Sequence, residues 1–519
     1  LATGKDLDLT LKTAIQERFS ENRNLIAVDF RSPSRKIEWQ ITYGELNALA
    51  ESLARLLANL PPGPVAISAE KSLTLYAGVL ASVYAERCFL PVSPQWAPAF
   101  AEKLVHDLQP QAMIGEPQAP DQPSEVKIPQ FWVKADQKSI GHYLMPKTTG
   151  AGPSELSSDF RDLCYLILTS GSTGASKAIK ISNANLISFI NNFQQAAPLE
   201  RQEKISQVFS LNFDPAIGEI FSCWSQGGCL CAFAQEDLFF FPNLIEHYQL
   251  SRWWSTPTTA KLVLKVLKSR SFKSFPTLRA SAFVGEALTR SLALDWLQHF
   301  PNSQIHNTYG PTETTVVNAM QIFTAEQIRN FTHETLSMGR GFGDNRLSLV
   351  DSQGHTIQLP GEVGEITIHG HQVGCGYLSD QQGGFANGIF ATGDLAFLTE
   401  DRDFVFVSRQ AFDFKVMGER INLTELTGHF QRELRAEWLA VVPARDQDGL
   451  VYGIHLILSE KFSASVLASF LDRCRQLNTV KLIPQGIFYI DKIPLNLNNK
   501  TDYKKIESMV ASAQLERML

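Results

Sequence analysis

Between Leu168 and Lys177 the chain reads LTSGSTGASK. Thr169, Ser170, Ser172 and Thr173 are set around Gly171 and Gly174, and Lys177 closes the stretch. Glycines let successive backbone N–H groups turn inward as an anion-binding nest, while hydroxyls and an ammonium add donors for phosphate oxygens. A polyphosphate suits such a loop; the other reading is an ordinary flexible Ser/Gly connection. It is not a Walker A loop, because G-x-x-x-x-G-K-[ST] needs glycine where Ser176 stands and a helix directly afterwards. A second candidate is Asp214 in SLNFDPAIGEIF. Aspartate followed by Pro215 reads as an N-cap with proline at the first helical position.

Elements must hold these groups in place. LCYLIL (Leu163 to Leu168) is a continuous apolar run suited to a buried strand, and AIKIS (Ala178 to Ser182) alternates like a second one. The hydroxyl-rich stretch is therefore a loop between strands. Elsewhere strand-like runs such as PVAIS at Pro64 alternate with helical ones such as LTLYAGVLASVYAE from Leu73. That alternation predicts an α/β fold with largely parallel sheets. GEPQAPDQPSE from Gly115 and KTTGAGPSELSS from Lys147 read as surface loops. The texture changes after EDRDF near residue 400, which sets a boundary between residues 405 and 412 and divides 1–408 from a smaller 409–519 portion.

Composition excludes several classes. With 519 residues, 44% of them hydrophobic, the chain can bury real cores. A net charge of −6 gives no basic field for nucleic acid. Seven cysteines without a C-x-x-C pair indicate neither a disulfide framework nor a zinc site, and are read as reduced thiols in a cytoplasmic protein. No apolar run approaches the ~20 residues of a membrane span. The opening LATGKDLDLT is polar, unlike a secretory leader, and its start at Leu1 is expected of a trimmed N-terminus.

Four further segments occur in order after the loop: NTYGPTETT (Asn307 to Thr315), ATGDL (Ala391 to Leu395), SRQAFDFKVMGERINLTEL (Ser408 to Leu426) and IPLNLNNKTDYKKI (Ile493 to Ile506). Together, and from ITYGELN at Ile41 onward, the chain resembles the adenylate-forming superfamily. That resemblance implies a large N-terminal adenylation core (1–408) of packed α/β layers and a small mobile α+β domain (409–519). It implies ATP and Mg²⁺. Thr169, Ser170, Gly171, Ser172, Thr173, Gly174 and Lys177 would hold the β- and γ-phosphates, with Thr173 and Lys177 acting in catalysis. Tyr309 would stack on adenine and Asn307 would meet its amino edge, beside the backbone of Gly285, Glu286 and Ala287, with Thr308, Gly310 and Thr312 completing the nucleotide site. Glu313 would ligate Mg²⁺, a hard cation that favours a carboxylate plus phosphate oxygens. Asp394 would accept from the ribose hydroxyls, assisted by Arg409; its other reading is a turn residue. Lys500 would bridge the substrate carboxylate and the α-phosphate.

The resemblance also speaks to substrate. In amino-acid adenylation domains the aspartate of the FD motif, here Asp214, pairs with the substrate's α-ammonium, a role compatible with N-capping. AFVGEALTRSLALDWLQHFPNSQIHNTYGPTETT and IKISNANLISFINNF look closest to free-standing D-alanine–carrier protein ligases. No carrier domain is expected after Leu519, and the thiol acceptor is expected to be the phosphopantetheine of a separate acyl or peptidyl carrier protein. By matching motifs the pocket would be lined by Asp214, Pro215, Gly218, Ser255, Ala282, Val284, Thr308, Val316 and Val317. Only Asp214 is charged, which suits a small neutral amino acid. Gly218 and Val284 depart from the D-alanine enzymes, and loss of bulk at Gly218 is expected to deepen the pocket. Ser176, Ala178 and Asn499 depart from the superfamily pattern, as does Ala411 at the hinge. The alternatives are an acyl- or aryl-CoA ligase and a nucleotide-binding homologue with impaired turnover.

Overall fold

The computed structural model describes residues 10–94, 104, 108–116, 130–134, 139–143, 160–170, 176–269, 274–378, 385–386, 388–409, 413–416, 419–445, 451–476, 483–494 and 501–519. The side chains of Thr169, Ser170 and Ser176 lie outside this description, as do Gly171, Ser172, Thr173, Gly174, Ala411, Asn499 and Lys500. The chain divides into two compact units: 1–348 with 367–392 and 401–405, and 349–366 with 393–400 and 406–519. The expected α/β class holds.

The first unit contains two sheets. A nine-stranded sheet runs in spatial order Arg340–Gly341, Ala319–Phe323, Gln304–Tyr309, Ala280–Phe283, Arg252–Ser255, Lys204–Gln207, Cys229–Ala232, Ile26–Ser32, Ile37–Thr42. Its interior pairs are parallel and its outer pairs antiparallel. A seven-stranded sheet runs Ser139–Tyr143, Gln130–Lys134, Ala112–Gly115, Val65–Ser68, Phe89–Pro91, Leu163–Ser170, Ser176–Ser182, with the same plan. Interior strands such as Phe89–Pro91 and Cys229–Ala232 are apolar and buried throughout because both faces are covered.

One buried cluster draws on both sheets: Val28, Phe30 and Leu230 from one, Ile67, Ile114 and Ile179 from the other. Helices Tyr43–Ala58, Leu73–Tyr84, Asn183–Ala196 and Pro215–Trp224 contribute to it. Every residue of Leu73–Tyr84 is buried, which is why that helix carries no polar stripe. Ser182 opens Asn183–Ala196 by accepting from Asn185 N–H while the Asn185 side chain accepts in return, so the strand that leaves the hydroxyl-rich loop passes straight into a helix. A second cluster on the far face of the nine-stranded sheet gathers Trp253, Phe283, Ile305, Trp296 and Phe300.

The second unit holds a four-stranded sheet, Leu439–Arg445, Val451–Leu458, Pro484–Tyr489, Glu516–Arg517, of mixed direction. Leu426 and Phe430 from helix Leu423–Leu434 and Leu467 and Phe470 from Ala464–Gln476 pack on one face, and Ile506 of Tyr503–Ala511 packs on the other. Asp502 caps that last helix, accepting from Lys505 N–H at 2.9 Å, two residues after Lys500. No helix among the described residues is long and apolar enough to cross a membrane.

Candidate active site

The carboxyl ends of neighbouring parallel strands are where an open α/β sheet receives ligands. Lys204–Gln207 leads to Asp214, Ala280–Phe283 to Val284, Gly285, Glu286 and Ala287, and Gln304–Tyr309 to Gly310, Thr312 and Glu313. These segments converge at one end of one sheet. Glu286 accepts from the backbone N–H and hydroxyl of Thr258, at 2.9 and 2.7 Å, in the loop-to-helix segment that follows Arg252–Ser255.

The route to Asp214 is braced from beneath. Half-buried Lys71 donates to the carbonyls of Gln207, Val208 and Phe233 at 2.7, 2.8 and 3.0 Å. Buried Glu219 accepts from the N–H of Val208 and Phe209 at 2.9 and 3.2 Å and from Gln207 Nε2 at 3.1 Å. Burial pulls the Lys71 ammonium down and pushes the Glu219 carboxyl up, each opposed by the other's charge.

Asp214 is 3% exposed. It stands at the N-cap of Pro215–Trp224, but its side chain makes no capping bond. Its Oδ1 accepts from Thr312 Oγ1 at 3.1 Å and its Oδ2 from Val316 N–H at 3.2 Å. The carboxylate is thus turned away from its own helix toward the 312–316 turn.

That turn is unusual. Thr315 and Val316 both have left-handed backbone, φ 61° and 69°, a conformation costly for a β-branched residue. A buried amide network holds it. Gln372 Nε2 donates to the carbonyls of Thr315 and Val317 at 3.0 and 2.8 Å, and Thr315 Oγ1 donates to the Gln372 carbonyl at 2.7 Å. Gln372 Oε1 accepts in turn from Asn192 and Asn345. Gly310 is required beneath: an added Cβ would lie 2.5 Å from Val317 Cα.

A second line of contacts joins the strand after the hydroxyl-rich loop to the predicted metal ligand. Lys177 Nζ lies 4.9 Å from the centre of the Tyr377 ring, within cation–π range. Tyr377 donates its hydroxyl to Glu313 Oε1 at 3.0 Å. The backbone repeats the connection: Gly374 N–H donates to the Glu313 carbonyl and Lys180 N–H to that of Gly376. Among the described residues no group of three or more His, Cys, Asp or Glu side chains could hold a metal. A cation at Glu313 would therefore draw most of its oxygens from phosphate and water, the habit of Mg²⁺.

Asn307 donates both amide hydrogens' worth of contact to the carbonyls of Leu336 and Ser337, at 3.1 and 2.8 Å. In the second unit Arg409 Nε pairs with Asp394 Oδ1 at 3.1 Å, and the neighbouring Gly393, φ 70°, donates its N–H to Glu365 at 2.9 Å.

Two pocket expectations change. Ser255 turns to the far face of its strand, where its Oγ accepts the Trp253 indole N–H at 2.8 Å; alternation brings Trp254 to the near face instead. Gly218 does not deepen the pocket. A Cβ there would lie 2.6 Å from Val316 Cγ1, 3.5 Å from Phe189 Cζ and 3.7 Å from Trp254 Cζ3. The missing bulk is replaced by Val316 and two aromatic rings. Ala282 and Thr308 share the near face with Trp254, and Thr308 Oγ1 donates to the Phe283 carbonyl at 2.8 Å. Beside Ala282 on that face lies His306, whose ring pKa is held down to about 4 by burial and by the Arg252 charge.

His306 makes stability pH-dependent with a defined sign. The folded chain holds this ring neutral where the unfolded chain, titrating near 6.5, has taken a proton. Stability is thus full above pH 6.5 and falls as pH drops toward 4, by about 3 kcal/mol. Urea midpoints measured across that range should fall more steeply for the parent chain than for His306→Gln.

Residues 15–378 match the model of the AMP-binding enzyme family. The chain belongs to that family. This AMP-binding enzyme is 27% identical over 489 residues to the D-alanine–D-alanyl carrier protein ligase of Streptococcus equi subsp. equi, covering 89% of this chain and 93% of the relative. It is 30% identical over 367 residues to the ligase of the same description from Lacticaseibacillus casei, covering 66% and 70%. Among solved structures, the Vibrio cholerae adenylation domain AlmE in complex with glycyl-adenosine-5'-phosphate aligns with a TM-score of 0.67 at 23% identity, over 99% of each chain. The anthranilate CoA ligase AuaEII aligns with a TM-score of 0.78 at 17% identity, over 99% of this chain and 100% of that one. Both share the fold of this AMP-binding enzyme. Five residues that lie against the candidate site residues or share their sheet face carry no motif in the sequence: Tyr377, Gln372, Trp254, Phe189 and His306.

Proposed function

We propose that this enzyme activates a small neutral amino acid with ATP as the aminoacyl adenylate, releases pyrophosphate, and passes the aminoacyl group to the phosphopantetheine thiol of a separate carrier protein. The observation that carries the reading is Asp214: a carboxylate 3% exposed that makes no cap to its own helix and is turned toward the 312–316 turn beside the near face of the sheet. A buried carboxylate in that place is suited to pair with the α-ammonium of an amino acid.

The substrate carboxylate attacks the α-phosphorus; a C–O–P linkage forms and the bond to pyrophosphate breaks. Asp214 fixes the amino group and so orients the attacking oxygen. Lys177 and the 169–174 segment neutralise the departing pyrophosphate, and Lys500 offsets charge at the α-phosphate. Mg²⁺, when bound, shields the phosphate oxygens; Glu313 would hold it, with Tyr377 orienting that carboxylate. Asp394 and Arg409 are assigned to the ribose. In the second step the thiolate attacks the acyl carbon, a thioester forms and AMP leaves.

Tyr377→Phe keeps the ring under Lys177 and removes the bond to Glu313. A hydrogen bond to a charged group contributes about 1.5 kcal/mol or more, so the Mg²⁺ requirement should rise roughly tenfold. The amino-acid KM should stay unchanged. ATP–pyrophosphate exchange measured against Mg²⁺ reads both.

The reading as a whole is tested by the same exchange over both enantiomers of the common amino acids, with aryl and fatty acids as controls. A signal for a small neutral amino acid, followed by thioester formation on a holo carrier, is the expected result. A CoA-dependent product from an aryl acid, or silence toward every amino acid with ATP bound, would overturn it.

A further inference from the structure

Residues 371–378 form a strap that is hydrogen-bonded along two edges. On one edge it pairs with the strand that leaves the hydroxyl-rich loop: Cys375 N–H donates to the Lys180 carbonyl and Leu378 N–H to that of Ala178, each at 2.8 Å, and Lys180 N–H returns a bond to the Gly376 carbonyl at 2.9 Å. On the other edge it grips the 312–317 turn. Gly374 N–H donates to the Glu313 carbonyl at 2.8 Å, and the Gln372 side chain reaches across to Thr315 and Val317. Asn185, in the first turn of helix Asn183–Ala196, ties the strap to that helix by donating to the carbonyls of His371 and Val373 at 2.6 and 2.9 Å.

Gln372 is fully buried, and its amide is used to capacity. Nε2 gives its two hydrogens to the carbonyls of Thr315 and Val317, and Oε1 accepts from Asn192 and Asn345 at 3.0 and 2.6 Å. A buried polar network satisfied in this way fixes one arrangement, because losing a member leaves its partners without bonds. The arrangement fixed here is one the chain would not choose locally: two successive β-branched residues with left-handed backbone.

The gripped turn serves two candidate groups at once. Thr312 Oγ1 and Val316 N–H hold the Asp214 carboxylate. Glu313 lies between them in sequence, and its own carboxylate accepts from Tyr377 at the end of the same strap. We propose that Gln372 is a positioning residue for both substrates: by holding the 312–317 turn it sets together where Asp214 meets the α-ammonium and where Glu313 meets the Mg²⁺ of the nucleotide. The two affinities therefore change as a pair. The inference rests on the roles proposed above for Asp214 and Glu313.

Gln372→Met keeps the length of the side chain and removes all of its amide bonds. The amino-acid KM in exchange should rise roughly tenfold, about the effect of losing one well-made buried hydrogen bond. The Mg²⁺ concentration that half-saturates ATP binding, read by calorimetry without amino acid, should rise by a similar factor. Tyr377→Phe, which leaves the turn gripped, should move the Mg²⁺ requirement alone. A variant that is merely less stable loses active enzyme, so kcat falls while both requirements stay where they were; that result overturns the proposal, as does a shift in one requirement without the other. Should Gln372→Met fail to fold, Thr315→Ala removes only the hydroxyl bond to the Gln372 carbonyl and should show the same paired shift at smaller size, with two unchanged requirements counting against Gln372. A parent chain without amino-acid-dependent exchange strikes instead at the proposed function. The hold on Glu313 is then read from ATP binding by itself: a raised Mg²⁺ requirement in Gln372→Met supports it, and an unchanged one refutes it.

Discussion

Replacing Asp214 by alanine raises the amino-acid KM in ATP–pyrophosphate exchange by roughly 30- to 5,000-fold and leaves the ATP KM within a few-fold of its starting value. The range corresponds to about 2–5 kcal/mol for breaking a buried, hydrogen-bonded charge pair, much of it the cost of leaving the ammonium without a counter-charge. Alanine also strips Thr312 Oγ1 and Val316 N–H of their acceptor, so part of the loss comes through the turn. Asp214→Asn separates the two effects. Its Oδ1 can still accept one of those bonds while the charge is gone, so a loss shared by both variants belongs to the ammonium. An unchanged amino-acid KM in both variants rejects the assignment.

Lys500→Ala lowers adenylate formation by about 10²–10³, the usual consequence of deleting one preorganised donor to charge that develops in the transition state. Transfer from a preformed aminoacyl adenylate to a holo carrier should continue at close to the parent rate. The reason is chemical: the lysine is assigned to the moment when the α-phosphate changes partners, and that bond is already made in the adenylate. Exchange and thioester formation, measured side by side, read the two half-reactions. Equal loss in both would return Lys500 to a structural role.

How much of this was legible in the sequence depended on where each residue's information lies. The hydroxyl-rich loop, Asp214 before Pro215 and the run ending at Glu313 announce themselves because their chemistry is local: small polar residues and glycines at fixed spacing. Strand and helix alternation likewise gave the α/β class, since apolar runs of strand length covered on both faces read the same way in any context. Tyr377 could not be found so. It reaches Glu313 across 64 residues, and a tyrosine beside Gly376 has no spacing that points there. Ser255 was misplaced for a simpler reason. It was placed in the pocket by matching motifs alone, and a motif match does not say which face of its strand a side chain takes, whereas alternation puts Trp254 and Ser255 on opposite faces. Gly218 was misread because a small residue suggests room, whereas Val316 fills that room from a left-handed backbone that its β-branched side chain disfavours.

The order of strands in the larger sheet carries a consequence for synthesis. Strand Ile26–Ser32 has Ile37–Thr42 on one side and Cys229–Ala232 on the other, with Val28 beside Leu230. A ribosome adding about 5–20 residues per second needs about 10–40 seconds to cover the roughly 200 residues between them. For that interval the first hairpin presents an open edge of backbone donors and acceptors flanked by Val28 and Phe30, the kind of edge that pairs with other chains. Nascent chains halted before Cys229 should therefore stay open to protease at Ile26–Thr42 and engage holdase chaperones, and protection should set in once Ala232 has been released. The early strands of this enzyme thus wait for their partner during translation, long before a nucleotide can bind.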